Sequence, residues 1–290
     1  MEQADQRLRP GSAPDPFGER PRHLHSARVY VLGGSFEFES SSRALLRLVA
    51  EAYAGLPRHR LTRSTPRFKI RLQVTRGDAE AGSAAAPPAH LHGGAGLLSV
   101  VMDAANFAVI CPAERSGLVA ISRTSLLRFP RLVRYELLEF AVFALAHRGL
   151  GLVSLHAGCV GWQRRGLLLI GESGAGKSTL ALHGAHRGLD FLTEDATFVD
   201  TSTMLATGVS NFLHLKADAL RYLDDDALTR RIGKSPIIRR RSGVEKLDLD
   251  MRRLGKPLAA KPVTVAGIAF LSMTPVGKGP LLRNVKRREL

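Results

Sequence analysis

The run Gly171-Glu172-Ser173-Gly174-Ala175-Gly176-Lys177-Ser178 constrains this chain more than any other stretch. It fits the spacing G-x-x-x-x-G-K-[ST], in which glycines let the backbone turn tightly and aim successive N–H groups at phosphate oxygens. The flanks agree. Leu167-Leu168-Leu169-Ile170 is a short apolar run of the kind a buried strand shows, and Thr179-Leu180-Ala181-Leu182-His183 has helical composition. Strand, glycine loop and helix in that order set bound phosphates at the positive end of a helix dipole. Gly171, Glu172, Ser173, Gly174, Ala175, Gly176, Lys177, Ser178 and Thr179 are therefore the expected nucleotide-binding residues. Lys177 is expected to reach the β- and γ-phosphates of a bound nucleotide, and the Ser178 hydroxyl to ligate Mg²⁺.

Downstream, Gly188 is a natural C-cap for that helix, and residues 189–193 read as the next strand, which delivers Glu194-Asp195. One helix and one short strand separate Lys177 from Asp195, so the pair should return to the tip of the strand beside the phosphate loop. Acids there can hold Mg²⁺ or accept the proton of an attacking hydroxyl. Asp195 is assigned as the base and Glu194 as assisting the metal. The two roles are exchangeable at this point, so Ser178 with Asp195 is also a metal-binding set.

Upstream, residues 152–162 read as a strand and residues 163–166 as a turn. A hairpin with Trp162 opposite Leu167 sets His156 opposite Ser173, inside the phosphate loop. His156 therefore joins Asp195 and Glu194 as a catalytic candidate that hydrogen-bonds an acid or a phosphate.

The region before residue 151 holds no residue set that suggests chemistry of its own. Residues 1–22 hold four prolines, many charges and almost no apolar side chains, so a disordered tail is expected. Residues 23–150 read as a small α+β domain. Its expected elements are a strand at 29–32, a turn at Gly33-Gly34, a strand at 35–39 and a helix at 43–54. A strand at 68–74, a flexible loop at 77–96 and strands at 97–103, 107–111 and 117–122 follow. His90 and His92 fall in the loop and read as solvent-exposed. An apolar helix at 135–147, closed by Gly149 and Gly151, ends the domain, and residues 151–290 form the nucleotide-binding domain. Residues 222–226 read as an ordinary helix end.

Composition narrows the function classes. No apolar run approaches the ~18 residues that cross a membrane, and the charged, proline-rich start is not a secretory signal. Cys111 and Cys159 are too few for a disulfide framework or a structural zinc site and read as buried thiols in a reducing cytoplasm. The formal charge of +16 invites nucleic acid. The arginines are scattered from end to end and no reader motif is present, so nucleic acid is not an expected partner.

Taken together, Leu155-His156-Ala157, residues 171–179, Arg187-Gly188-Leu189 and Thr193-Glu194-Asp195 resemble the HPr serine kinase/phosphorylase superfamily, itself similar to phosphoenolpyruvate carboxykinases. Leu213-His214-Leu215-Lys216 is similar to a segment of the smaller HPr-kinase-related proteins, some of which modify ribosomal peptides such as lasso peptide precursors. The resemblance is strong over 152–200 and weaker over 201–275. It implies an α/β fold of the HPr kinase/phosphoenolpyruvate carboxykinase type, with ATP and Mg²⁺ as cofactors. The implied reaction is γ-phosphoryl transfer to a serine-type hydroxyl of a peptide or small protein in the cytoplasm. Self-association is left open. A non-catalytic nucleotide-binding switch or scaffold and a small-molecule kinase are the alternatives.

Three features depart from the family pattern. Glu194 replaces the first aspartate of an Asp-Asp pair, Thr179 stands where bifunctional members carry Glu, and no Glu-x-Arg-Gly segment is present. The corresponding region offers Arg239, Arg240 and Arg241, which read either as a clamp for the γ-phosphate or an acidic substrate, or as a solvated basic loop. These departures put phosphorolysis and the HPr substrate in doubt while leaving kinase chemistry intact. The chain stops soon after Phe270-Leu271, so a terminal helix is expected to be short or missing.

Overall fold

The computed structural model describes residues 24–75, 88–239, 243–272 and 282–285. The expected tail at 1–22, Arg240, Arg241 and nearly all of the chain after Ser272 lie outside them. The protein is mixed α/β, and its sheets combine parallel and antiparallel strands. Among the described residues no helix is long and apolar enough to cross a membrane.

The first sheet starts with the hairpin of β1 (His25–Val31) and β2 (Gly34–Ser40). Helix α1 (Arg43–Tyr53) follows, its first turn capped by the Ser42 hydroxyl accepting from the Leu45 N–H. Its buried stripe of Leu45, Leu48, Val49, Ala52 and Tyr53 holds it to the sheet. Strand β3 (Arg67–Thr75) returns parallel to β2. Strands β4 (His90–Gly94), β5 (Leu97–Asp103), β6 (Asn106–Cys111) and β7 (Ser116–Ser122) make an antiparallel meander whose last strand lies parallel to β3. The stretch read as a flexible loop, 77–96, thus contains an edge strand. Every residue of β4 is exposed, so no alternation of buried and exposed positions marked it. Cys111 is only half-buried, whereas Cys159 is buried and its thiol is pushed up to about 12 by that burial.

Short helices α2 (Arg123–Arg128) and α3 (Pro130–Val133) lead into one π-helical turn, Arg134–Leu138, and then α4 (Glu139–Gly149). The expected helix at 135–147 therefore opens with a wider turn, in which the Glu139 N–H reaches back to the Arg134 carbonyl. Leu137, Leu138, Ala141, Val142 and Leu145 are fully buried against the first sheet, and Leu152, Phe198 and Val209 belong to the same core.

The second sheet has the order β11-β9-β10-β17-β13-β12-β8. Its strands are β8 (Val153–Leu155), β9 (Gly158–Trp162), β10 (Arg165–Gly171), β11 (Asp190–Thr193), β12 (Thr197–Asp200), β13 (Leu205–Gly208) and β17 (Val263–Leu271). Helix α5 (Lys177–His186) follows β10. A third sheet of β14 (Phe212–Leu215), β15 (Ile237–Arg239) and β16 (Glu245–Asp250) stands beside them, with a 3₁₀ turn at Ala217–Tyr222 and α6 (Asp226–Gly233) between β14 and β15.

Three expectations change here. The β9–β10 hairpin pairs Trp162 with Arg165, not Leu167, because the turn has only two residues. Gln163 and Arg164 both take positive φ, the backbone of a tight hairpin turn normally signalled by Asn-Gly, so the sequence hid it. Residues 152–162 are two strands, not one. And β9 lies between β10 and β11, so the acids follow the next strand but one.

His59, in the loop after α1, fastens this segment to the second sheet. Its Nε2 lies 2.8 Å from the Ala259 carbonyl and must donate, which leaves Nδ1 to accept from the Thr207 hydroxyl at 2.7 Å. Burial holds the imidazole below its usual 6.5, against a smaller opposing effect of the Ala259 bond. A lowered folded-state value means that the unfolded chain binds the proton first. His59 therefore contributes stability above pH 6.5 that is lost as pH falls toward the folded value. Urea unfolding should show His59→Ala destabilised by about 1–3 kcal/mol at pH 7.5. The gap between mutant and wild type should narrow as pH falls from 6.5 toward 5.

Candidate active site

The site is built on a broken strand pair. Strand β9 pairs with β11 (Thr193 with Cys159) and β8 pairs with β12 (Thr197 with Leu155), and these two pairs share one antiparallel register. The ladder fails between them. There His156 and Ala157 face Glu194, Asp195 and Ala196. Thr197 Oγ1 donates to the Ala157 carbonyl at 2.8 Å in place of ladder bonds. Gly158 makes the close approach feasible, since a Cβ there would stand 3.0 Å from the Glu194 carbonyl. The gap gathers three titratable side chains at one point, and the hydrogen-bonded strands on either side fix them.

The glycine loop arrives at the same edge. β10 and β11 are both antiparallel to β9 and so run the same way, which puts residues 171–178 and Glu194-Asp195 at one end of the sheet. Gly174 and Gly176 hold φ values of 91° and 96°, a left-handed backbone that costs other residues about 1–2 kcal/mol. Helix α5 begins at Lys177 with no side-chain cap on its first N–H groups, so those donors point into the loop. Lys177 is nearly buried, and its Nζ donates to the Gly171 and Glu172 carbonyls at 2.7 and 3.1 Å.

Loop, acids and histidine line one cleft of about 570 Å³, a volume suited to a ligand of nucleotide size. His156, Ser173, Gly174, Gly176, Lys177, Ser178, Thr179, Glu194 and Asp195 all contribute to its wall. His156 does not oppose Ser173 on a ladder, because pairing in that hairpin stops at Gly158 with Leu169, yet both residues reach the cleft. Arg239 ends β15, is exposed, and is not part of this wall.

The two acids have different surroundings. Asp195 is half-buried; its Oδ1 lies 3.0 Å from His156 Nδ1, and its Oδ2 accepts from the Tyr135 hydroxyl at 3.0 Å. The hydrogen bond to Asp195 raises the His156 pKa above 6.5, more than burial and the Lys177 charge lower it. Glu194 is buried. Its Oε1 accepts from Ser178 Oγ at 3.3 Å, and its Oε2 accepts from the His214 backbone N–H. Behind it, His214 Nε2 lies 3.3 Å from Asp248 Oδ1, and Arg134 and Arg131 stand 3.4 and 3.5 Å from Asp248 Oδ2. Burial alone would raise the Asp248 carboxyl; the bond to His214 and the charges of Arg134, His214 and Arg131 outweigh it and hold it below the usual range.

Sequence reading missed Tyr135, Arg134 and Asp248. All are far from the glycine loop in the chain, and two lie in the region thought to carry no chemistry. It singled out His214 only within a segment of resemblance. Tyr222, the first residue of the stretch read as a plain helix end, also lines the cleft, together with Lys216, Arg221 and Lys246. No signal in residues 217–222 announced this, because a 3₁₀ turn has no apolar periodicity long enough to read.

Comparison with protein-family models finds no match, and comparison with curated proteins finds none either.

In the metal-free protein, ¹H–¹⁵N titration of the imidazoles should place His156 above 6.5, and Asp195→Asn should bring it down. The sign is that of a raised group: the pairing stabilises the fold fully below pH 6.5 and is lost as pH rises through the folded-state value. An unchanged His156 titration in Asp195→Asn contradicts the pairing.

Proposed function

We propose that this chain is an ATP-dependent kinase of the HPr-kinase-related type, with a P-loop kinase fold in residues 151–290. It moves the γ-phosphoryl group of ATP to a serine-type hydroxyl of a peptide or small protein. The observation that carries this reading is the convergence on one cleft of the phosphate loop, Lys177, Ser178 and the Glu194-Asp195 pair.

The chemistry follows from position. Backbone N–H groups of residues 172–178 and the Lys177 ammonium hold the β- and γ-phosphates, for which Lys177 exchanges its present carbonyl partners. Asp195 accepts the proton of the acceptor hydroxyl as its oxygen forms a bond to Pγ, and the bond from Pγ to the bridging oxygen of ADP breaks in line. His156, 3.0 Å from Asp195 Oδ1, orients that carboxylate and limits its rotation. The donors at the other acid are the hydroxyl of Ser178 and the carboxylate of Glu194, hard oxygens that suit Mg²⁺, an ion that keeps most of its waters and takes one or two protein ligands. Mg²⁺ would supply neutralisation of the phosphate charge. Glu194 thereby takes the metal side and leaves Asp195 as the base.

Transfer from γ-labelled ATP to peptides and proteins encoded beside this gene tests the reading. Lys177→Ala should abolish transfer while the fold persists, because the side chain faces the ligand. Asp195→Asn should lower kcat by roughly 10²–10⁴-fold with little change in the KM for ATP, and His156→Ala by about 10²-fold. Wild-type rates in Lys177→Ala overturn the proposal.

A further inference from the structure

Two consecutive residues of the π-helical turn hold both acids of the cleft from behind. Tyr135 donates its hydroxyl directly to Asp195 Oδ2 at 3.0 Å. Arg134 acts through two intermediaries, Asp248 and His214. Its guanidinium lies 3.4 Å from Asp248 Oδ2, Asp248 meets His214 Nε2 at 3.3 Å, and the His214 backbone N–H bonds Glu194. The Tyr135 ring packs edge-on against the His214 ring at 5.5 Å, which ties the two branches together.

The same turn is anchored on its other side. Val133, Leu137 and Leu138 are at most 1% exposed in the core of the first sheet. Arg134 is wholly buried and stacks over Phe212 at 3.7 Å, with Glu139 3.7 Å from its Nε. A fully buried guanidinium is costly unless several partners surround it. In a regular α-helix successive side chains point about 100° apart. The wider π turn resets that angle locally and is a device found often at functional sites. Here it lets neighbouring residues reach two different carboxylates while the flanking apolar residues stay in the core.

We infer that Tyr135 is a positioning residue for the base Asp195, and that the Arg134-Tyr135 turn is how the first sheet completes the catalytic site. This rests on the kinase reading above. On this account the region of residues 23–150 is a working part of the site: its turn limits the rotation of Asp195 and sets Glu194 beside Ser178. A carboxylate that rotates spends less time aligned with the incoming hydroxyl, so the loss falls on turnover and not on nucleotide binding.

Tyr135→Phe deletes the hydroxyl and keeps the ring against His214, so it tests the bond without emptying the core. Arg134 is unsuitable as the test, since its removal takes a guanidinium partner from the buried Asp248 and endangers folding. In the full-length chain Tyr135→Phe should lower kcat roughly tenfold, the loss expected for one hydrogen bond to a charged group. The affinity for a non-hydrolysable ATP analogue should stay within about twofold, below the scale of one such bond. In the Asp195→Asn background the same change should cost nothing further, because the group it positions is gone. Unchanged kcat in Tyr135→Phe, a parallel loss of analogue affinity and melting temperature, or full additivity with Asp195→Asn overturns the positioning role and leaves the kinase reading standing. A wild-type chain that binds the analogue and transfers no phosphate to any acceptor overturns both.

Discussion

The site depends on a failure of hydrogen bonding. Two long chain segments, 153–162 and 190–200, pair as antiparallel strands at both ends and let go in the middle. Backbone groups that leave a ladder must find partners elsewhere, and Thr197 supplies one for Ala157. The unpaired stretch is where His156, Glu194 and Asp195 emerge. Because the ladder resumes on either side, these residues inherit the rigidity of a sheet while keeping the access of a loop. A site on regular strands would have sent the two adjacent acids to opposite faces and left only one of them on the histidine's side.

Around that point the two acids are differentiated by what surrounds them. Glu194 is enclosed, with a hydroxyl and a backbone N–H on its oxygens and His214, Asp248 and Arg134 behind it. Asp195 is open to the cleft, with a histidine on one oxygen and a phenol on the other. Chains of buried charges add little net stability, yet breaking one member typically costs about 3–5 kcal/mol. Their effect here is to fix geometry: the enclosed acid has one place to be, beside the Ser178 hydroxyl, and the open acid keeps its access to the cleft.

What the sequence disclosed was what is local. The glycine loop, its strand and its helix are contiguous, and their residue types follow from backbone conformation, as the positive φ of Gly174 and Gly176 shows. The helix at α1 and most strands of the first sheet were readable because each buries one face. The hairpin count sets His156 near the loop by a register the structure does not have: the Gln163-Arg164 turn is shorter than its sequence suggests, and the strand expected to carry the histidine into the loop breaks at it. Its link to Asp195 comes through β11 and β12 instead. Tyr135, Arg134 and Asp248 were invisible for a different reason. They meet the site only through tertiary packing of a π turn and a third sheet, and nothing in their local spacing encodes that encounter. The edge strand β4 was missed because a strand exposed on both faces has no polarity pattern.

The proposed transfer requires one arrangement: ATP phosphates in the loop of residues 171–178, with Asp195 facing the open side of the γ-phosphate. A crystal structure with a non-hydrolysable ATP analogue and Mg²⁺ tests it most directly. It should show Lys177 Nζ moved from the Gly171 and Glu172 carbonyls onto the β- and γ-phosphates. Asp195 should lie within hydrogen-bond reach of the position that an attacking hydroxyl occupies in line with Pγ, still held by Tyr135 and His156. An analogue bound elsewhere in the cleft, or one whose γ-phosphate points away from Asp195, would contradict it.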